Sequence, residues 1–142
     1  MPCPGDDVCA FERIHRHWQN GDLEGCLTVC HDQIIWTVNV DGIAMPYAAS
    51  ALGLEDLRWR LQHLRTVFEI DSFELLHLTH GADHCRSRVH LVYVHRKARE
   101  TLDIVITFAG WQREGLLVRM EETADAGYVG AYDRFIRFLQ AG

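Results

Sequence analysis

Two residues carry the sharpest chemical signal in this chain of 142 residues: His90 and Asp103. An imidazole beside a carboxylate can take up and return a proton near neutral pH. The two lie on runs of alternating apolar residues, 85–97 and 100–112, that read as neighbouring strands. With a two-residue turn at Ala98-Arg99, position 97 pairs with 100, 94 with 103, 90 with 107 and 88 with 109. One face of the hairpin then carries Val89, Leu91, Tyr93, His95, Leu102, Ile104, Ile106 and Phe108. The other carries Arg88, His90, Val92, Val94, Asp103, Val105, Thr107 and Trp111. The apolar face suits a dimer interface or a core, and the mixed face suits a ligand pocket. On this register His90 faces Thr107, with Asp103 further along the same face and Glu122 able to arrive from the last strand. His90 and Asp103 are the candidate catalytic pair. The plainer alternative makes His90 a strand histidine bonded to backbone or threonine, and Asp103 the partner of an arginine.

Around that pair, Trp36, Tyr47, Arg88, Thr107, Trp111 and Glu122 are candidate substrate contacts. Large aromatic rings offer flat apolar walls with a polar edge, which suits a ring-shaped ligand. Tyr47 lies in a loop and could cover the pocket, whereas Trp36 and Trp111 could equally be core. Arg88 at the rim could hold an anionic group.

Nine histidines and five cysteines raise the question of a metal. Cys26-x-x-x-Cys30-His31 and His80-x-x-x-His84-Cys85 are the two segments that come closest to ligand spacing. There is no Cys-x-x-Cys and no His-Glu-x-x-His, and Cys26 and Cys30 fall on the inner stripe of a helix as small hydrophobes. No metal and no cofactor are expected. His15, His17, His63, His80 and His84 are read as lying on solvent faces, turns or helix ends. Glycine-rich phosphate loops and Gly-x-Ser-x-Gly elbows are absent, so nucleotide and serine-hydrolase chemistry has no support.

The bulk properties narrow the partners. A formal net charge of −6 repels phosphate backbones and anionic lipid, so neither nucleic acid nor membrane is expected. No run approaches the roughly 18 apolar residues that span a bilayer. An odd cysteine count and no leader-like N-terminus point to reduced thiols and a cytoplasmic location.

These residues must be positioned by a modest set of elements. Val8, Phe11, Ile14 and Trp18 recur at helical spacing over 7–20, and Asn20-Gly21 ends that helix. Asp22 can cap a second helix, and 33–40 reads as a strand. A loop runs to about Gly53. Leu54, Leu57, Leu61, Leu64 and Phe68 then form the apolar stripe of a third helix. Strands follow over 69–79, 85–97, 100–112 and 116–125, with a closing helix over 127–140. Residues 1–6 form a flexible lead-in to a single domain, 1–142. Helices grouped apart from an antiparallel meander make an α+β fold, one bent sheet wrapped around helices.

The order and spacing of several short motifs resemble the nuclear transport factor 2-like superfamily, within it the SnoaL-like, ketosteroid-isomerase-like branch. Asn20-Gly21-Asp22-Leu23-Glu24 resembles the family's break between its first two helices, and His31-Asp32-Gln33-Ile34-Ile35-Trp36 the approach to its first strand. Pro46-Tyr47-Ala48 followed by Gly53-Leu54-Glu55-Asp56-Leu57 is similar to its pocket-rim loop and third helix. The segment from Trp111 to Glu122, followed by Asp125, is similar to its last hairpin.

The resemblance implies a cone-shaped α+β barrel, an apolar pocket, and a homodimer packed through the sheet. It also implies one of several cofactor-free chemistries or simple binding. Against the ketosteroid isomerases, the catalytic base falls at Val38, the helix-one tyrosine at Ile14, and the buried protonated aspartate near Thr107. None can serve, so that mechanism is not expected; Asp41, a few residues past Val38, could substitute as base only if the loop folds back. The Arg-x-Asp that begins the epoxide-hydrolase arrangement is also missing. The expected function is a small-molecule pocket protein: a cofactor-free acid/base enzyme of isomerase, dehydratase or polyketide-cyclase type acting on a small apolar oxygenated substrate. The alternative is a hydrophobic-ligand-binding or dimeric assembly module without catalysis.

Overall fold

The structure, a computed structural model, describes residues 9–38, 50–124 and 137. Helix α1 (Ala10–Gln19) forms because Phe11, Ile14 and His15 recur on one side, where all three are buried. It stops where Gly21, at φ 73, donates its N–H to the Trp18 carbonyl at 3.0 Å. Asp22 then begins α2 (Leu23–Thr28), its Oδ1 accepting from the Gly25 N–H at 2.9 Å.

Strand β1 (Cys30–Val38) follows, so Cys30, expected with Cys26 on the inner stripe of the helix, is instead the buried first residue of a strand; a two-residue strand β2 (Ala51–Leu52) pairs with β1 antiparallel. This short strand lies within the loop that the sequence predicts up to about Gly53; two residues are too few to show alternation. Helix α3 (Leu54–Val67) buries Leu57, Arg60, Leu61 and Leu64. Four long strands follow: β3 (Phe68–His80), β4 (Cys85–His95), β5 (Thr101–Arg113) and β6 (Leu116–Ala124). The expected lead-in over 1–6 lies outside the described residues, as does the closing helix over 127–140 apart from Arg137, which is helical.

One curved sheet runs in the order β2-β1-β6-β5-β4-β3. All neighbours are antiparallel except β1 and β6, which lie parallel and bring the first strand beside the last. Alternation decides which side faces the helices. Val89, Leu91 and Tyr93 on β4, and Leu102, Ile104, Ile106 and Phe108 on β5, are all buried. Gly110 permits the close approach of α1, since a Cβ there would stand 2.4 Å from Phe11 Cδ1. This is the α+β arrangement expected, with a mainly antiparallel sheet wrapped around helices.

The β4–β5 register differs from expectation. Val94 pairs with Thr101, Val92 with Asp103, His90 with Val105 and Arg88 with Thr107, a displacement of two residues. The cause is a four-residue turn over 96–99. Arg99, at φ 59, donates its N–H to the His95 carbonyl at 2.9 Å, and His95 Nδ1 accepts from the Ala98 N–H at 2.9 Å. A shift of two preserves the faces, whereas a shift of one would have exchanged them. No helix among the described residues is long and apolar enough to cross a membrane.

Candidate functional site

The helices and the inner face of the sheet line a cavity that opens to solvent. Ile14, His15 and Trp18 of α1 line it from one side, and Arg60, Leu61 and Leu64 of α3 from another. The sheet contributes Trp36, Phe73, Leu91, Tyr93, Ile106, Phe108, Met120 and Glu122. The walls are therefore apolar, with a few polar groups converging on the space.

The strongest of these groups is Glu122. It is 6% exposed, and both hydrogen bonds to it fall on one oxygen. Trp36 Nε1 donates to Glu122 Oε1 at 2.6 Å, and Arg60 Nη2 donates to the same atom at 2.8 Å. Among the described residues, Oε2 receives no hydrogen bond. The parallel pairing of β1 and β6 makes this possible. Trp36 sits opposite Met120 and Val38 opposite Glu122, so the indole and the carboxylate are diagonal neighbours on the inner face. The Arg60 guanidinium also lies 5.5 Å from the centre of the Trp36 ring.

Burying a charge pair is costly unless each charge meets a partner and further hydrogen bonds. Arg60, 4% exposed, supplies the partner from the middle of the apolar stripe of α3. Its position between Leu57 and Leu61 was the signal in the sequence: an arginine on a buried helix face needs a buried anion.

Two further polar groups face the cavity. Trp18 Nε1 donates to the Tyr93 hydroxyl oxygen at 2.9 Å, which leaves the phenolic O–H to donate elsewhere. Burial pushes the Tyr93 hydroxyl well above its ordinary pKa, so it stays a neutral donor. His15 is held differently. A carbonyl can only accept, so the 2.8 Å contact with the Phe11 carbonyl places the proton on His15 Nδ1. Nε2 then accepts from the Ser87 hydroxyl at 2.8 Å. Burial lowers the His15 pKa to about 4 and keeps the ring neutral. His15 was expected on a solvent face; it belongs to the stripe of Phe11 and Ile14 and is buried with them.

Of the candidates named from the sequence, the structure brings Trp36 and Glu122 into the cavity. His90 and Asp103 do meet, with His90 Nε2 and Asp103 Oδ1 2.7 Å apart, but they meet on the opposite side of the sheet. The expectation that the mixed face lines the pocket is corrected: Leu91, Tyr93, Ile106 and Phe108 of the apolar face line it instead. An apolar face covered by helices can be core and cavity wall at once, which alternation alone does not reveal. Arg88 and Thr107 pair on that outer side, so Arg88 is not at the cavity rim. Trp111 is there too, its ring stacked on His84 at 4.9 Å and beneath Arg119 at 5.6 Å. Tyr47 lies outside the described residues.

No family model matches the sequence, and no curated protein matches it significantly. Solved structures do match the fold. TerC co-crystallised with polyporic acid is 18% identical, with a TM-score of 0.69 over 88% of this chain and 95% of that one. An NTF2-like protein of unknown function from Burkholderia pseudomallei is 14% identical, with a TM-score of 0.69 over 90% and 92%. A protein with a ketosteroid isomerase-like fold from Catenulispora acidiphila, in complex with trimethylamine, is 10% identical, with a TM-score of 0.70 over 88% and 92%. The chain thus has the nuclear transport factor 2-like, ketosteroid-isomerase-like fold, as the sequence motifs implied.

Proposed function

We propose that this chain is a cofactor-free acid/base enzyme that moves a proton on a small, largely apolar, oxygenated organic molecule held in the cavity. The observation that carries the reading is the Glu122 carboxylate, one oxygen pinned by Trp36 and Arg60 and the other without a bond from any described residue, in a largely apolar space. A general base needs a fixed orientation and a free lone pair, and Glu122 combines both. In the step we envisage, Glu122 Oε2 takes a proton from a carbon beside a substrate carbonyl. The Tyr93 hydroxyl donates a hydrogen bond to the carbonyl oxygen as negative charge gathers there. Return of the proton to another carbon is an isomerisation, attack of the carbanion on a second carbonyl is a cyclisation, and loss of water is a dehydration. A neighbour of the same fold was co-crystallised with polyporic acid, which supports an organic ligand of this kind.

The test is deuterium exchange at the α-carbon of benzoylacetone and related small aryl ketones in heavy water, followed by NMR. Wild-type protein should accelerate exchange, and Glu122→Gln should lower the rate by about 10²–10⁴, the usual contribution of a general base. Undiminished exchange in that variant would overturn the role of Glu122. Saturable binding with no exchange in the wild type would favour the alternative, a hydrophobic-ligand-binding module. The outer face of the sheet, where His90, Val92, Val94, Val105 and Thr107 are half-buried, is the surface we assign to a second copy in a homodimer.

A further inference from the structure

Away from the cavity, three segments bring soft ligand atoms together. Cys9 is the residue that caps the N-terminus of α1. His80 ends β3 and Cys85 begins β4, and the two are cross-strand partners that close the hairpin. Gly81 holds that turn by donating its N–H to the His84 carbonyl at 2.9 Å. His80 Nδ1 stands 3.9 Å from Cys9 Sγ and 3.4 Å from Cys85 Sγ, and all three ligand atoms lie within 4.8 Å of one another. Both cysteines are buried, at 7% and 4% exposure. On its far side the imidazole meets Glu12, with Nε2 and Oε1 2.6 Å apart.

We propose that Cys9, His80 and Cys85 form a site for a thiophilic divalent cation, zinc being the one that suits the ligand set. Tetrahedral zinc with its usual bond lengths to sulfur and imidazole nitrogen sets S···N separations of about 3.6 Å. The two observed separations straddle that figure, so only small side-chain adjustments are needed to seat an ion. Two thiolates balance the ion's charge, which suits a buried location. The imidazole is oriented as a metal-bound histidine usually is, with Nδ1 toward the ligand cluster and Nε2–H held by a carboxylate. Glu12 is thus a positioning residue, and water can fill the fourth place. Cys26 and Cys30 make the contrast. Burial pushes both thiols up to about 12, and their Sγ atoms contact the Ile14 and Cys26 carbonyls, so they remain protonated core residues.

Sequence spacing gave no metal site because the ligands come from the start of α1 and both strands of a hairpin more than 70 residues away. Bound zinc would fasten α1 to the tip of β3 and β4. Those elements also carry Ile14, Trp18, Phe73 and Leu91 of the cavity wall, so the ion would brace the pocket without entering it.

The experiment is titration of the reduced, metal-free full chain with cobalt(II), followed by displacement with zinc. The expected result is a thiolate-to-cobalt charge-transfer band with the visible bands of a tetrahedral ion, saturating at one ion per chain. Cys9→Ser and Cys85→Ser should abolish the band, Cys30→Ser should keep it, and Glu12→Gln should weaken binding about 10–100-fold. Zinc should also shield Cys9 and Cys85 from alkylation in the wild type, a readout that needs no variant to fold. Absence of the band, its survival in Cys85→Ser, or protection mapping to other cysteines would each overturn the site. So would a Cys9–Cys85 disulfide whose reduction restores no metal binding.

Discussion

Arg60 Nη2 and Glu122 Oε1 stand 2.8 Å apart with both side chains almost wholly buried, one from α3 and the other from β6. Such a pair adds little net stability over an apolar substitute of similar shape, yet it cannot lose one member cheaply. Arg60→Met should therefore destabilise the chain by about 3–5 kcal/mol in urea unfolding, the usual cost of stranding a buried charge. Arg60→Met combined with Glu122→Leu should recover most of that loss. A double variant as unstable as the single one would show that the pair itself holds the fold.

His15 predicts a pH dependence. Its folded pKa of about 4 lies below its ordinary 6.5, so between those values the unfolded chain binds more protons than the folded one. Stability is complete above pH 6.5, falls as pH drops toward 4, and loses roughly 3 kcal/mol across that window. In His15→Gln the slope of stability against pH between 6.5 and 4 should flatten, measured by denaturation at each pH. An unchanged slope would move the effect to other groups.

Gly110→Ala should test the contact between α1 and β5. The added Cβ would meet Phe11 Cδ1 at 2.4 Å and Cε1 at 2.8 Å. Overpacking of this kind costs about 1–3 kcal/mol. Phe11→Leu in the same chain should return part of the loss, because it removes the ring atoms in collision. Thermal unfolding of the two single variants and the double variant would reveal the coupling.

The turn between β5 and β6 is a two-residue hairpin loop with Glu114 at φ 53 and Gly115 at φ 80. Both central residues in the left-handed region define a type I′ turn, which favours Asn-Gly. Glu114→Asn should raise stability by a few tenths to about 1 kcal/mol by relieving the side-chain penalty. A lower melting temperature in this variant would contradict that account.

The outer sheet face gives a prediction about assembly. If a second copy covers it, Val92→Glu and Val105→Glu should shift the chain toward monomer in sedimentation equilibrium while leaving the circular dichroism spectrum intact. A wild-type chain that sediments as a monomer would remove the dimer.

Much of this arrangement was legible in the residues. The Asn20-Gly21-Asp22 break, the α3 stripe from Leu54 to Leu64 and the alternation of β4 and β5 appear where the sequence places them, whereas Phe68, expected to end that stripe, instead opens β3 in extended conformation and is buried from there. What failed did so for physical reasons. The β4–β5 turn could close with two residues or four, and only the α-turn around His95 and Arg99 decides between them. The alternation of Val89, Leu91 and Tyr93 showed that one face is apolar, not that helices would leave a cavity against it. His15 and Arg60 were overlooked as site residues because residue type outweighed position. Each sits within a buried stripe, where a polar side chain signals a buried partner. Glu122 was named, but Arg60, its charge partner, lies 62 residues away, and no local pattern announces such a meeting.

The parallel seam between β1 and β6 has a consequence for biosynthesis. Trp36 and Glu122 are 86 residues apart in the chain yet share one hydrogen bond. At ordinary translation rates the ribosome makes the carboxylate roughly 4–17 s after the indole that orients it. During that interval the growing chain can form the hairpin of β3 and β4 but has no complete pocket. The inner face that holds Trp36 and Glu122 therefore closes in one late event, and a nascent or truncated chain lacking β6 has neither the carboxylate nor the seam that orients it.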